Sequence, residues 1–524
     1  MGGVTRLAGL LSLLFAEDAT KRMLSSGHTD LEVYYPELPN DFDYYAQQQL
    51  DLVPLCVVRP KAVDAVSSTL KAVMKYECPF AVRSGGHSTA TGKSNRHDGV
   101  VIDLTYFDHI RVSEDKKTMS LGPGARWGTI YDVLEPLGLG VVGGRVSDVG
   151  VGGFTLGGGI SFLSRGYGWA FDNVLSFEVV LPNGTVVRAS ETSQPDLYFA
   201  LRGGGSNFGI VTDFEFQATE DYKLWGGTNA YLMDDLNERR AALGLQYRKF
   251  ELTTYSGVLH ASRWAQKAAH YFGYGRNSKA LIADFVTLAH SPETKSHHAY
   301  IWFVWTPLIH AYLIGGTVSS TELVENPEAI RNLSKPTGLL STNRFTTLSD
   351  LAKEITTANP INERQLWRTS TFKVDAELIS KLWDIQMEES DPIVHRVPGL
   401  VVSSNLQIVS KSQIALSSKR GGNAFGIDVE DGPLFTFSMT ISYKSPDQDE
   451  MLKGLSDRII SRGIELAKTM GLHHPFIYPN YATADQEVLE GYSPKTLQRL
   501  KDIQAVIDPE RKFASLQPEQ FRLS

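Results

Sequence analysis

The chain has 524 residues, 42% of them hydrophobic and 21% charged, and a formal net charge of −8. This is the composition of a soluble globular protein long enough for two or more domains with sizeable cores. Nothing in the acidic balance or the lack of a Lys/Arg run favours a nucleic-acid partner, and no apolar run reaches the roughly 20 residues of a membrane span.

In chain order, LAGLLSLLFA (7–16) behind Arg6 reads either as the core of a secretory signal or as a short amphipathic helix, so the compartment stays open. VPLCVVRP (53–60) predicts a strand, and 61–76 carries Val63, Val66, Leu70, Val73 and Met74 at helical spacing. Cys56 and Cys78 border that helix and are either a disulfide or two free thiols. PFAVR (79–83) and GVVIDL (99–104) are strands; 117–139 is a strand, a Gly-Pro-Gly turn and a short helix; 143–174 is glycine-rich loop. LSFEVVLPNGTVVRAS (175–190) predicts a hairpin, and 196–217 a helix, a glycine turn and a strand. IADFVTLAH (282–290), AYIWFVWTP (299–307) and PLFTFSMTISY (433–443) read as strands, and 494–507 as a helix opened by a proline. The sequons at Asn183 and Asn332 permit glycosylation.

RSGGHSTATGKS (83–94) ends like a phosphate-binding P-loop, but His87 stands where that loop needs glycine and a strand follows instead of a helix. GLGVVG (138–143) fits a dinucleotide fingerprint only formally, because it follows a helix. What remains is three loops, RSGGHS, GVGGFTLGGG and RGGGSNFG, able to turn successive backbone N–H groups toward an anion. Several such loops in one domain suggest a large phosphate-bearing ligand. The histidine pairs 297–298 and 473–474 lack metal-ligand spacing, so no metal is expected.

The ordered run FAVRSGGHS, GVVIDL, GPGARWG, SDVGVGGFTLGGGISFLSRGYG and PDLYFALRGGGSNFGIVTDFEF resembles the FAD-binding domain of vanillyl-alcohol-oxidase-type (PCMH-type) flavoproteins. It is most similar to the berberine-bridge-enzyme-like group in its fungal form. The resemblance resumes at QIVSKSQIALSSKRGGNAFGID and YPNYATADQ. It implies an α+β fold: an N-terminal segment (1–49), a two-lobed FAD-binding domain (50–220), an α+β substrate-binding domain with an antiparallel sheet (221–470), and a segment returning to the FAD domain (471–524).

The same resemblance assigns the site. Arg83, Ser84, Gly85, Gly86, His87 and Ser88 would hold FAD, with the Gly-Lys-Ser ending of that stretch outside the part that touches cofactor. Ser147, Val149, Gly152, Gly153, Gly157, Gly158, Gly159, Gly209, Ile210, Val211 and Asn480 complete the cofactor set. His87 falls on the histidine that bonds the flavin covalently. Val146 occupies the position where some members carry a second, cysteinyl link, so a single tether is expected. Val149 falls on the position that gates oxygen, and valine there resembles the oxidases. Tyr481 falls on a tyrosine used as base by some relatives; Tyr478 and Gln407 are further catalytic candidates. Asp428, Glu430 and Asp431 read as a solvated turn ahead of a base. The implied activity is an FAD-linked oxidase acting on an alcohol, phenol or amine-type small molecule, with O2 as acceptor and H2O2 as product, in specialised-metabolite biosynthesis. A carbohydrate oxidase, a dehydrogenase with another acceptor, a non-redox cyclase and a non-catalytic binding protein are the alternatives.

Overall fold

A computed structural model describes residues 30–35, 43–245, 274–292, 295–518 and 521–523. The apolar stretch at 7–16 lies outside the described residues. The first sheet contains β1 (Leu31–Tyr34), β2 (Cys56–Pro60), β3 (Phe80–Arg83) and β4 (Val100–Asp103) in the order β1-β2-β4-β3. Strands β2 and β3 both run parallel to β4, so the chain between them must cross over. It does so through the helix Val63–Lys75, which buries Ala65, Val66, Thr69, Leu70 and Val73. Full burial of a side chain such as Leu70 is worth roughly 2–3 kcal/mol. Asp64 in the first turn and Lys75 in the last suit the helix dipole. Cys56 and Cys78 are both buried and are not joined by a disulfide.

The second sheet holds β5 (Ile110–Val112), β6 (Thr118–Leu121), β7 (Val174–Val180), β8 (Val186–Ser190) and β9 (Ile210–Gln217), all antiparallel, in the order β5-β6-β9-β7-β8. Between β6 and β7 the glycine-rich stretch is less loop-like than its composition predicts. It contains short helices at Val151–Leu156 and Ser164–Tyr167.

The third sheet has ten strands. They are β10 (Lys223–Met233), β11 (Gly275–Arg276), β12 (His297–Thr306), β13 (Ala311–Ser320), β14 (Leu340–Ser341), β15 (Arg344–Thr347), β16 (Arg364–Lys373), β17 (Val401–Val409), β18 (Leu434–Tyr443) and β19 (His473–His474). Its spine is β13-β12-β17-β18-β16, antiparallel throughout. One face, with Ile301, Phe303, Leu406, Phe435, Phe437 and Met439, packs on three helices, Ser278–His290, Ala376–Val394 and Asp449–Thr469. The register opposes Tyr300 to Gln407, Gln407 to Thr436, and Thr436 to Thr371. Strand alternation therefore places His298, Tyr300, Trp367 and Gln407 together on the other face.

Residues 282–290 are helix, not strand. Leu281, Ile282, Phe285, Leu288 and Ala289 are its buried positions, a helical spacing that the short window IADFVTLAH truncates. The side chain of Asn277 caps it by accepting from the N–H of Lys279 and Ala280. After β19 the chain returns to the first lobe. The Tyr492 hydroxyl donates to the Gly203 carbonyl (2.7 Å), Arg499 pairs with Asp196 (2.8 Å), and Asn207 Nδ2 donates to the Phe521 carbonyl (3.0 Å).

Candidate active site

A cavity of about 310 Å3 opens where the three glycine loops meet the returning segment Tyr478–Ala482; ligand pockets span roughly 300–1,000 Å3. Ser84 to Ser88, Val149, Gly152, Gly153, Gly157 and Gly209 to Val211 line it, as do Tyr478, Asn480 and Tyr481. Among the described residues no protein acceptor takes the backbone N–H groups of residues 85 to 89. Five consecutive unsatisfied donors on a cavity wall suit a polyanionic group such as a pyrophosphate. The loops that carry them touch. A Cβ on Gly85 would lie 2.5 Å from the Gly150 nitrogen, so only glycine permits the approach. Ser84 Oγ fastens the contact, accepting from Gly152 N–H (3.2 Å) and donating to the Pro123 carbonyl. At Gly153 the opposite holds: a Cβ would meet nothing within 4 Å. The protein itself does not require glycine there, while a ligand pressed against the helix Val151–Leu156 would. The donor row, the open face at Gly153 and the largely apolar remaining wall fit an FAD.

His87 is partly buried and stacks on Tyr45, ring centroids 4.0 Å apart at 9°. Burial, helped by the Arg126 cation and opposed by Asp43, brings its pKa down to about 4. The imidazole is thus neutral at physiological pH, with a lone pair available to a carbon electrophile. Val146 and Val149 also stand on the wall.

At the other side of the cavity Tyr481 stands against Trp367 (5.1 Å between centroids) and Tyr478 (4.8 Å, edge on). Its hydroxyl accepts from Arg145 Nη2 at 2.7 Å. Arg145 Nη1 donates to Gln407 Oε1 (2.5 Å) and faces His298 Nε2 (3.3 Å), and the guanidinium lies 5.0 Å from the Tyr300 ring centroid. The register described above thus delivers Gln407, His298, Tyr300 and Trp367 to one spot.

The structure redistributes several sequence assignments. Arg83 is not on the wall. Alternation along β3 puts Val82 and Ser84 toward the cavity and turns Arg83 away, to Asp103, Thr105 and the Asp43 carbonyl. Ser147 is tied through its N–H and hydroxyl to Thr356 Oγ1 (both 2.8 Å). Gly158 and Gly159 adopt φ of +106° and +82° and pack on Phe425, Phe154 and Ala170, so their glycine requirement comes from backbone and packing. Gln407 reaches the cavity only through Arg145. The Tyr478 hydroxyl accepts from the N–H of Gly159 (3.2 Å) and Ile160 (3.1 Å) and from Asn480 Nδ2 (3.1 Å), and burial raises its pKa. It is an anchor for the glycine loop, poorly suited to move a proton. Asn480 also donates to the Phe154 carbonyl (3.0 Å), fixing the same loop. Asp428, Glu430 and Asp431 form a 3-10 turn that Asp428 caps, off the cavity wall.

Of the Gly-Lys-Ser ending, Lys93 and Ser94 line the cavity. The Lys93 ammonium sits 3.8 Å from the Phe521 ring centroid, and burial lowers its pKa to about 7. Arg145 is the residue that motif reading misses. The available signal is a single basic residue inside GGRVSD, a glycine-rich stretch where a buried cation must find partners from elsewhere.

A family model described as an FAD binding domain matches residues 54–190. An FAD-dependent monooxygenase of Cochliobolus heterostrophus, tpcD, is 32% identical over 522 residues, which is 96% of this chain and 92% of that protein. Among solved structures, 6-hydroxy-D-nicotine oxidase from Arthrobacter nicotinovorans superposes with a TM-score of 0.70 at 18% identity, covering 94% of this chain and 97% of its own. A variant of berberine bridge enzyme does so with 0.69 at 16%, covering 97% and 100%. At such identities the two structures speak for the fold alone.

Proposed function

The chain belongs to the berberine-bridge-like group of PCMH-type FAD-linked oxidoreductases, and from that membership we propose a singly tethered oxidase of specialised metabolism. Its substrate is an alcohol, phenol or amine-type small molecule, and O2 is the final acceptor with H2O2 released. The observation that carries the reading is one cavity holding both the N–H row beside His87 and the Tyr481 hydroxyl. Bound FAD supplies the hydride acceptor.

The chain's own residues do the rest. The N–H groups of residues 85 to 89 bind the pyrophosphate. His87, neutral because burial brings its pKa to about 4, would hold the flavin by a covalent bond. Tyr478 and Asn480 hold the glycine loop still. Tyr481 takes the proton from the substrate's O–H or N–H while a C–H leaves as hydride, from the adjacent carbon of an alcohol or amine or from a ring-conjugated benzylic carbon of a phenol. General bases contribute about 10²–10⁴ in rate. Val149 leaves room for O2 at the wall.

The test is rapid anaerobic mixing of holoenzyme with alcohols, phenols, amines, sugars and polyketide or alkaloid intermediates, followed by air. A substrate should bleach the flavin, Tyr481→Phe should slow bleaching about a hundredfold or more, and air should restore colour with one H2O2 per flavin. A reduced flavin that persists in air would mark a dehydrogenase instead. The name of the Cochliobolus relative, a monooxygenase, favours oxygen insertion as the second reading; labelled oxygen appearing in the product would select it.

A further inference from the structure

We propose that Arg145 is a positioning residue that stabilises Tyr481 in its proton-accepting, phenolate form. The inference rests on the reading of Tyr481 as base. Arg145 is 9% exposed, and among the described residues it has no carboxylate partner. Its Nε is buried without any partner. A buried guanidinium without a counter-ion costs several kcal/mol, and proteins keep such charges where they serve chemistry.

The groups that touch it are all neutral in their ordinary state. Gln407 offers an amide oxygen. His298 is neutral, because burial, with the Arg145 and Arg165 cations, holds its pKa well below the usual value. Facing the Nη1 donor, its Nε2 accepts, which leaves the ring proton on Nδ1. Burial raises the pKa of Tyr300 beneath the guanidinium and of Tyr478 beside Tyr481, so both stay protonated. Trp367 brings no charge. Of the atoms around the guanidinium, the Tyr481 oxygen at 2.7 Å is the one on the cavity wall that can carry a full negative charge.

Gln407 and His298 grip Nη1 while Nη2 is left to Tyr481. The β12–β17 register thereby aims the cation at the oxygen. A charge-assisted contact of this length favours the phenolate over the phenol. In turnover the substrate's O–H or N–H bond breaks and its proton moves to the Tyr481 oxygen. The electron pair left on the substrate heteroatom forms the new π bond as a C–H leaves as hydride, from the adjacent carbon of an alcohol or amine or a ring-conjugated benzylic carbon of a phenol, and bound FAD would be the acceptor. Tyr481 then returns the proton to solvent.

The first test needs no substrate. Holoprotein labelled with ¹³Cζ-tyrosine is titrated by NMR, the Tyr481 signal being the one lost in Tyr481→Phe. In Arg145→Gln, Tyr481 should titrate at least about one pH unit higher, a tenfold smaller phenolate fraction below that range. Arg145→Lys should recover part of the shift; Arg145→Met replaces Arg145→Gln if the amide variant fails to fold. Equal titration of Tyr481 in wild type and Arg145→Gln overturns the proposal. Flavin reduction measured against pH separates the two levels of the argument. An inactive Tyr481→Phe with an unmoved pH limb in Arg145→Gln overturns the role of Arg145 alone. A fully active Tyr481→Phe overturns the base assignment and this inference with it.

Discussion

Gly153→Ala separates what the fold needs from what the cofactor needs. Gly153 lies in the helix Val151–Leu156 and on the cavity wall, and an added Cβ meets nothing within 4 Å. In the protein alone the substitution should be neutral or stabilising by up to about 1 kcal/mol, the ordinary helical advantage of alanine over glycine. With FAD against that face, the methyl group intrudes on a packed contact. Overpacking costs about 1–3 kcal/mol, roughly a five- to hundredfold loss in affinity. The comparison is best made in a His87→Ala background, where no tether obscures equilibrium binding. Flavin-fluorescence titration should show the weaker Kd, while thermal unfolding of the flavin-free protein is unchanged or higher. An FAD affinity within twofold of the parent would refute the placement of the cofactor against this helix.

Gly85→Ala is the counterpart that should damage both. Its Cβ would sit 2.5 Å from the Gly150 nitrogen, against about 3.4 Å for ordinary contact, so the two loops must part by about 1 Å. Flavin content and melting temperature should fall together; loss of neither would count against the loop contact. Asp172 gives a pH test. Burial raises its pKa to about 7, opposed by Asn423, the Trp169 N–H, Arg202 and Arg420. The native state therefore holds this proton more tightly than the unfolded chain. The protonated form's advantage, present below about pH 4, is lost as pH rises to about 7, at a cost on the order of 3–4 kcal/mol. Denaturant unfolding across that range should show a flatter fall in stability for Asp172→Asn; parallel curves would refute the buried ionisation.

The sequence made the glycine loops legible because they answer local demands. A row of backbone donors and a close approach of two loops are written in RSGGHS and GVGG directly. The division within GVGGFTLGGG was not legible. Gly152 and Gly153 face the cavity, but the chain's turn after Leu156 sends Gly158 and Gly159 into the aromatic cluster around Phe425. The charge hub was harder still. Arg145, His298, Gln407 and Tyr481 come from four segments, and the register of β12 against β17, which opposes Gln407 to Tyr300, brings His298 only diagonally beside Gln407. IADFVTLAH misleads for a simpler reason: its buried positions Ile282, Phe285, Leu288 and Ala289 already follow a helical period, but the nine-residue window is too short to outweigh its apolar content and omits the helix's first turn. Lys93 looked incidental beside a failed P-loop motif, yet chain return at Phe521 closes the cavity over it.

The most direct test of the account is mass spectrometry of the tryptic peptide from Ser84 to Lys93, which contains His87 as its sole histidine. In acid-precipitated wild-type protein this peptide should carry the mass of the flavin nucleotide, and the pellet should stay yellow. In His87→Ala the same peptide should be unmodified. An unmodified wild-type peptide, with the flavin recovered in the acid supernatant, would contradict the tether at His87.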